Sequence, residues 1–259
     1  MTQKTLSVLG PSVLIFCSLF IWRRFYPATD WAVLALVPLT ALLLAGFFWS
    51  SAAVYLASMK VAVREGSPIA WLAAGRLRAF LGATVFTLVS MPLLAWYALS
   101  STHTELLLLA LLCLFASALY ALALHKLLDH LTPPFARTTA LWASTLVAFM
   151  FVPVIAWANW HFTPHSAEIR FATLHEALQI GIGQLPHRRG WLAEPLSPLY
   201  ALEYAKLWFV VQEGSPKWFS FWYSFDAALI SLVAARACAV LMPLAQIGKG
   251  NTGDRNSAS

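Results

Sequence analysis

Residues 106–124 read LLLLALLCLFASALYALAL, nineteen consecutive positions without a charged side chain. As a helix rising 1.5 Å per residue, such a stretch covers most of a hydrocarbon core about 30 Å thick. Backbone N–H and C=O groups find no water at that depth, so a helix that bonds them internally is the form in which this segment crosses a bilayer. With its flanks it gives a candidate span at 105–128. Working outward, five more segments are apolar enough, at 6–22, 31–57, 80–99, 138–158 and 218–244.

The whole chain has the same character. Its 259 residues are 60% hydrophobic and 11% charged, with a mean hydropathy of +0.70. A soluble domain holds about 45–50% apolar and about 25% charged residues. That excess of grease excludes a soluble globular domain, a disordered chain, a coiled coil and a disulfide scaffold. The expected fold is an all-α integral membrane protein with six transmembrane helices. The transmembrane domain is expected over 1–247, with a helical extracytoplasmic loop at 159–217 between the fifth and sixth spans. The polar tail 248–259 reads as disordered and cytoplasmic.

The first span begins after Met-Thr-Gln-Lys and resembles a signal peptide. However, Trp22-Arg23-Arg24-Phe25 stands where small cleavage-site residues are required, so an uncleaved anchor helix is expected. Orientation follows the positive charges. Lys4, Lys60, Arg64, Arg76, Arg78, Lys126, Arg137, Lys249 and Arg255 fall on one side, and Arg23 and Arg24 on the other. The positive-inside rule then puts both termini in the cytoplasm. The formal charge of +6 does not imply nucleic-acid binding, because the basic residues are scattered between apolar segments.

The connections carry their own signals. Ser100–Thr104 is a minimal turn, so spans three and four should form a hairpin. Met59–Phe80 reads as a cytoplasmic interfacial helix, capped by Ser67-Pro68 and carrying Ile69, Trp71, Leu72 and Leu77 against Arg76 and Arg78. In the outer loop, Ser166 should cap a helix from Ala167 to about Ile182, with Gly181, Gly183, Pro186 and Gly190 breaking the pattern. A second helix is expected from Ser197-Pro198 to about Gln212. A faint echo links Val63–Pro68 with Val211–Pro216, but its flanks do not align and a Gly-Ser-Pro junction is a generic helix boundary.

Asp226 is the sharpest anomaly. Counted from Trp218 it lies about 12 Å along the last span, where an ionisable group costs roughly 2.5–3.5 kcal/mol and must face the protein interior. It is a candidate proton, ion or substrate site. Alternatively it is helix glue, with Tyr223 one turn earlier as its partner, or the span begins later and Asp226 sits at the interface. Arg236 is ten residues further on, too far to pair with Asp226 and near enough to the cytoplasmic end to snorkel. Ala227, Ser231, Ala235 and Ala239 form a small-residue stripe for close helix packing. Cys113, Ser117 and Ala121 in span four, and Gly46 and Ser50 in span two, offer similar faces. Pro38, Pro92 and Pro153 should interrupt spans two, three and five.

Cofactor and metal chemistry find little support. His103, His125, His130, His161, His165, His175 and His187 lie at span ends and in the outer loop, with no zinc-protease pattern and no pair of histidines at one depth for haem. Cys17, Cys113 and Cys238 lie inside apolar stretches, as small hydrophobes do. Trp22, Trp31, Trp96, Trp157, Trp160 and Trp218 flank span ends, as an aromatic belt requires.

No catalytic, cofactor-binding or metal residues are therefore assigned. The expected role is a non-enzymatic membrane subunit or accessory protein of a larger envelope assembly (secretion, conjugation or transport). Its expected partners are the lipid bilayer and other membrane or envelope proteins, or a second copy of itself. A small transporter or channel using Asp226 is the alternative, ahead of a membrane-embedded enzyme. Short positively marked loops and the lack of an N-glycosylation sequon point to a bacterial inner membrane.

Overall fold

A computed structural model of the chain describes residues 2–62, 76–162, 167–185, 191–212 and 223–253. Among these residues the regular structure is helical throughout. The helices are α1 (Thr2–Phe25), α2 (Leu36–Ala62), α3 (Arg76–Ser100), α4 (His103–Leu127), α5 (Pro133–Met150), α6 (Val152–Phe162), α7 (Leu174–Gly183), α8 (Ala193–Val211) and α9 (Phe225–Gly253). Short 3-10 turns at Asp30–Ala35 and Ala167–Arg170 precede α2 and α7.

Among the described residues four stretches are long and apolar enough to cross a membrane: Asp30–Ser58, Arg76–Ser100, His103–Leu127 and Phe225–Leu244. α5 and α6 meet at a 43° bend and would together make a fifth. Pro153 lies in the first turn of α6, where it can supply no backbone N–H to the helix before it. Pro92 behaves differently from expectation, since α3 continues through it. Pro38 sits in the first turn of α2 and opens that helix rather than interrupting it.

The last helix is the centre of the bundle. α9 packs against each of α1 to α6. Its small-residue stripe explains how: Ala227, Ser231, Ala235 and Ala239 are all buried, and so are Ala228, Ala234, Ala237 and Cys238. Helices in lipid gain no hydrophobic drive from pairing, so close backbone approach and dispersion must hold them together. Gly46 of α2 marks a close crossing with α9. A Cβ there would lie 2.7 Å from the Val240 carbonyl oxygen and 3.1 Å from its Cγ1. On the opposite side the Cys113 and Cys238 thiols meet between α4 and α9, and both cysteines are free. Ser12 of α1 and Ser117 of α4 meet with their hydroxyls 3.4 Å apart.

Polar side chains fix the remaining crossings. The Trp22 indole donates to the Ala95 carbonyl at 2.9 Å, and Trp22 is buried rather than part of an interfacial belt. Arg23 donates to the Ala98 and Ser101 carbonyls at 3.1 and 2.8 Å, which ties the end of α1 to the end of α3. The α3–α4 hairpin turn is closed by a capping box in which Thr102 and Glu105 bond each other's backbone N–H.

The segment expected as an outer loop departs from expectation in its details. Its first helix starts at Leu174, not Ala167, because Thr173 and Glu176 form a second capping box. The Thr173 backbone N–H and hydroxyl hold the Glu176 carboxyl below its ordinary range. Gly181 does not break this helix but lets it approach α8, since a Cβ would meet the Tyr200 carbonyl oxygen at 2.7 Å. α8 begins at Ala193, and Pro198 lies within it. α9 runs to Gly253, into the segment read as a tail. Ser67-Pro68, the interior of the interfacial segment, Ser166, Trp218 and most of the Val63/Val211 echo lie outside the described residues.

Candidate functional site

The ends of four helices and the side of a fifth meet at one point. α3 ends at Ser100 and α6 at Phe162, α4 begins at His103 and α9 at Phe225, and α8 lies across them. Between them is a narrow polar cavity of about 20 Å³. Glu105 of α4, Asn159 of α6, Glu203 and Lys206 of α8, and Tyr223 and Asp226 before and in α9 contribute its charged and hydrogen-bonding groups.

Local sequence explains how each group arrives there. Glu105 is the third residue of α4, so its carboxylate caps Thr102 through Oε2, while Oε1 accepts from the Asn159 side-chain amide. Both oxygens of this buried carboxylate are thus engaged. Asp226 stands in the first turn of α9, where a carboxylate favours the exposed N–H groups. Its Oδ1 accepts from the Ala227 N–H at 3.0 Å, and its Oδ2 forms an ion pair with Lys206. Glu203 and Lys206 are three residues apart on α8 and therefore share a face. The Lys206 ammonium also lies 5.3 Å from the centre of the Tyr223 ring.

Glu203 is the least well served of the three carboxylates. The Tyr223 hydroxyl donates to its Oε1 at 3.5 Å, the outer limit of a hydrogen bond. Burial raises its pKa to about 7, against the opposing pull of Lys206, and Asp226 and Glu105 push the same way as burial.

The sequence-predicted residues divide. Asp226 and Tyr223 both belong to this cluster, but Asp226 is the second residue of the candidate span and not at its middle. Arg236 lies elsewhere. It donates to the Leu141 carbonyl at 3.2 Å and the Thr145 hydroxyl at 3.0 Å, with its guanidinium 4.9 Å from the centre of the Trp142 ring. Instead of reaching past the bundle it fastens α9 to α5. Ala227 touches the cavity, while Ser231, Ala235 and Ala239 serve packing below it. His161 is exposed and stacked on Trp157, and His175 is exposed on α7. Among the described residues no three His, Cys, Asp or Glu side chains are grouped to hold a metal ion.

Glu105, Asn159, Glu203 and Lys206 escaped the sequence reading. A signal existed for two of them, because an acid and a base three residues apart beside the apolar run Leu207–Val211 mark a polar stripe on a buried helix. No signal in one sequence pairs Asn159 with Glu105 across 54 positions. No protein-family model, curated protein or solved structure matches this chain.

Proposed function

We propose that this is a non-enzymatic integral membrane subunit or accessory protein of a larger envelope assembly, of the secretion, conjugation or transport kind. The observation that carries the reading is the outer pair α7–α8. It is docked on the bundle end through Lys206 and Asp226, yet it leaves large apolar side chains uncovered. Leu202 and Phe209 of α8 are exposed, as are the flanking Trp191 and, at 85%, Phe171. Aromatic side chains held on a fixed layer suit contact with another protein.

In this reading six helices cross a bacterial inner membrane, counting α1 and taking α5–α6 as one broken span. Both termini are cytoplasmic and residues 159–217 lie outside. The partners are other membrane or envelope proteins, or a second copy of the chain. Gentle detergent extraction of the tagged protein tests this. A stable complex is expected, and deletion of residues 167–190 should spare membrane insertion while losing it. A chain that extracts only as a monomer, or a complex that survives the deletion, would overturn the reading.

One observation favours the second reading, a small transporter or channel using Asp226. The cluster gathers three carboxylates and one ammonium in a single cavity. Against it, Asp226 stands at one end of its span, and the α9 faces beyond it are filled by packed small residues. A transporter would lose activity but keep its assembly state in both Asp226→Asn and Asp226→Leu.

A further inference from the structure

Fully ionised, Glu105, Glu203, Asp226 and Lys206 would leave two excess negative charges around a cavity of about 20 Å³. Uncompensated charge in such a place costs several kcal/mol, so it is relieved by a bound cation or by a proton. The donors on the cavity wall decide between them. Trp96 and Ser101 line it, 6% and 5% exposed, and their indole N–H and hydroxyl have no hydrogen-bond partner among the described residues. An indole N–H can only donate, so it cannot ligate a cation. It does satisfy the lone pair of a water molecule, and about 10–15 Å³ suffices for one. Lys206 already places one fixed cation against Asp226, which further disfavours a second.

We propose that this cavity is a binding site for one proton, carried on the Glu203 carboxyl and accompanied by one water molecule that accepts from Trp96 and Ser101 and donates to Glu203 in its ionised form. Glu105 and Asp226 each already accept close hydrogen bonds on both oxygens, whereas the Tyr223 hydroxyl stands 3.5 Å from Glu203. The proton adds to a Glu203 carboxylate oxygen and is released from the same oxygen.

Among the described residues, charged and titratable groups face Glu203 from several elements. On α8 itself these are Lys206, Tyr200 and Tyr204. Asp226 and Tyr223 face it from the start of α9, Glu105 from α4 and Tyr97 from α3. Arg23 of α1 acts at the Tyr200 side. On the 167–170 turn and α7, Glu168, Arg170, His175 and Glu176 are exposed.

The test is infrared difference spectroscopy on the full chain carrying carbon-13 glutamate, between about pH 5 and 9. A protonated glutamic acid band should titrate near pH 7, vanish in Glu203→Gln, and keep its midpoint when sodium replaces choline. Lys206→Met should raise that midpoint and Asp226→Asn should lower it, each by about half a unit or more. These two variants keep the test decisive if Glu203→Gln fails to fold. The proposal is overturned if no glutamic acid band titrates in the wild type, or if neither variant moves the midpoint. A midpoint that falls with rising sodium would show a cation site in its place.

Discussion

Lys206 of α8 is ion-paired with Asp226 in the first turn of α9, so a helix outside the candidate spans is tied by charge to the central helix of the bundle. The two side chains are 28% and 39% exposed, which places the pair between a surface bridge and a buried one. A coupling of about 1 kcal/mol follows, towards the upper end for exposed pairs. Lys206→Met and Asp226→Leu should each loosen α8, read as faster proteolysis within 191–212. The double variant should be less impaired than the sum of the two, because neither charge is then left alone. Additive effects would show that the pair does not hold the layer.

Gly46 should be the least replaceable glycine of the bundle. Gly46→Ala puts a methyl group 2.7 Å from the Val240 carbonyl, and overpacking against backbone costs about 1–3 kcal/mol. Gly82→Ala meets only the Phe47 ring at 3.6 Å and should be neutral or slightly stabilising. Thermal unfolding in detergent separates the two, and equal effects would contradict the close α2–α9 crossing.

Arg236 should act as a fastener of α5 to α9 and not as a free cationic end. Arg236→Met removes the bonds to Leu141 and Thr145 and should cost about 1–3 kcal/mol. Arg236→Lys keeps the charge but not the planar fork, so it should recover only part of that loss. Full recovery by lysine would instead support a snorkelling role.

Stability should fall as pH rises through neutrality. Glu203 has a folded pKa raised to about 7, so the folded chain holds its proton more tightly than the unfolded chain. The contribution is complete below the unfolded value near 4.5 and is lost as pH rises to about 7. Its size is about 1–3 kcal/mol. The unfolding temperature should decline across that window, and Glu203→Gln should remove the decline. A profile unchanged by the substitution would assign the pH dependence to another group.

The helices were legible in the sequence because hydrocarbon demands long uncharged runs, and Leu106–Leu124 has no other reading. The stripe Ala227, Ser231, Ala235 and Ala239 stands out in the sequence as small side chains at four-residue spacing, and all four are buried. Position along the span was not legible. Asp226 looked central because the count began at Trp218, whereas the candidate span begins at Phe225. Trp22 looked like a belt residue because its neighbours are arginines, but the Ala95 carbonyl draws its indole inward. The cluster around Glu203 stayed hidden because it joins residues from five helices, and a single sequence carries no record of which helix ends meet.

Placement of the α7–α8 layer on the side of the membrane opposite the α2–α3 connection is the central claim, and reporter fusions test it most directly. One reporter active only in the cytoplasm and one active only outside are fused after Arg76 and after Arg188. The account predicts a cytoplasmic signal at Arg76 and an external signal at Arg188. The same signal at both positions would contradict it.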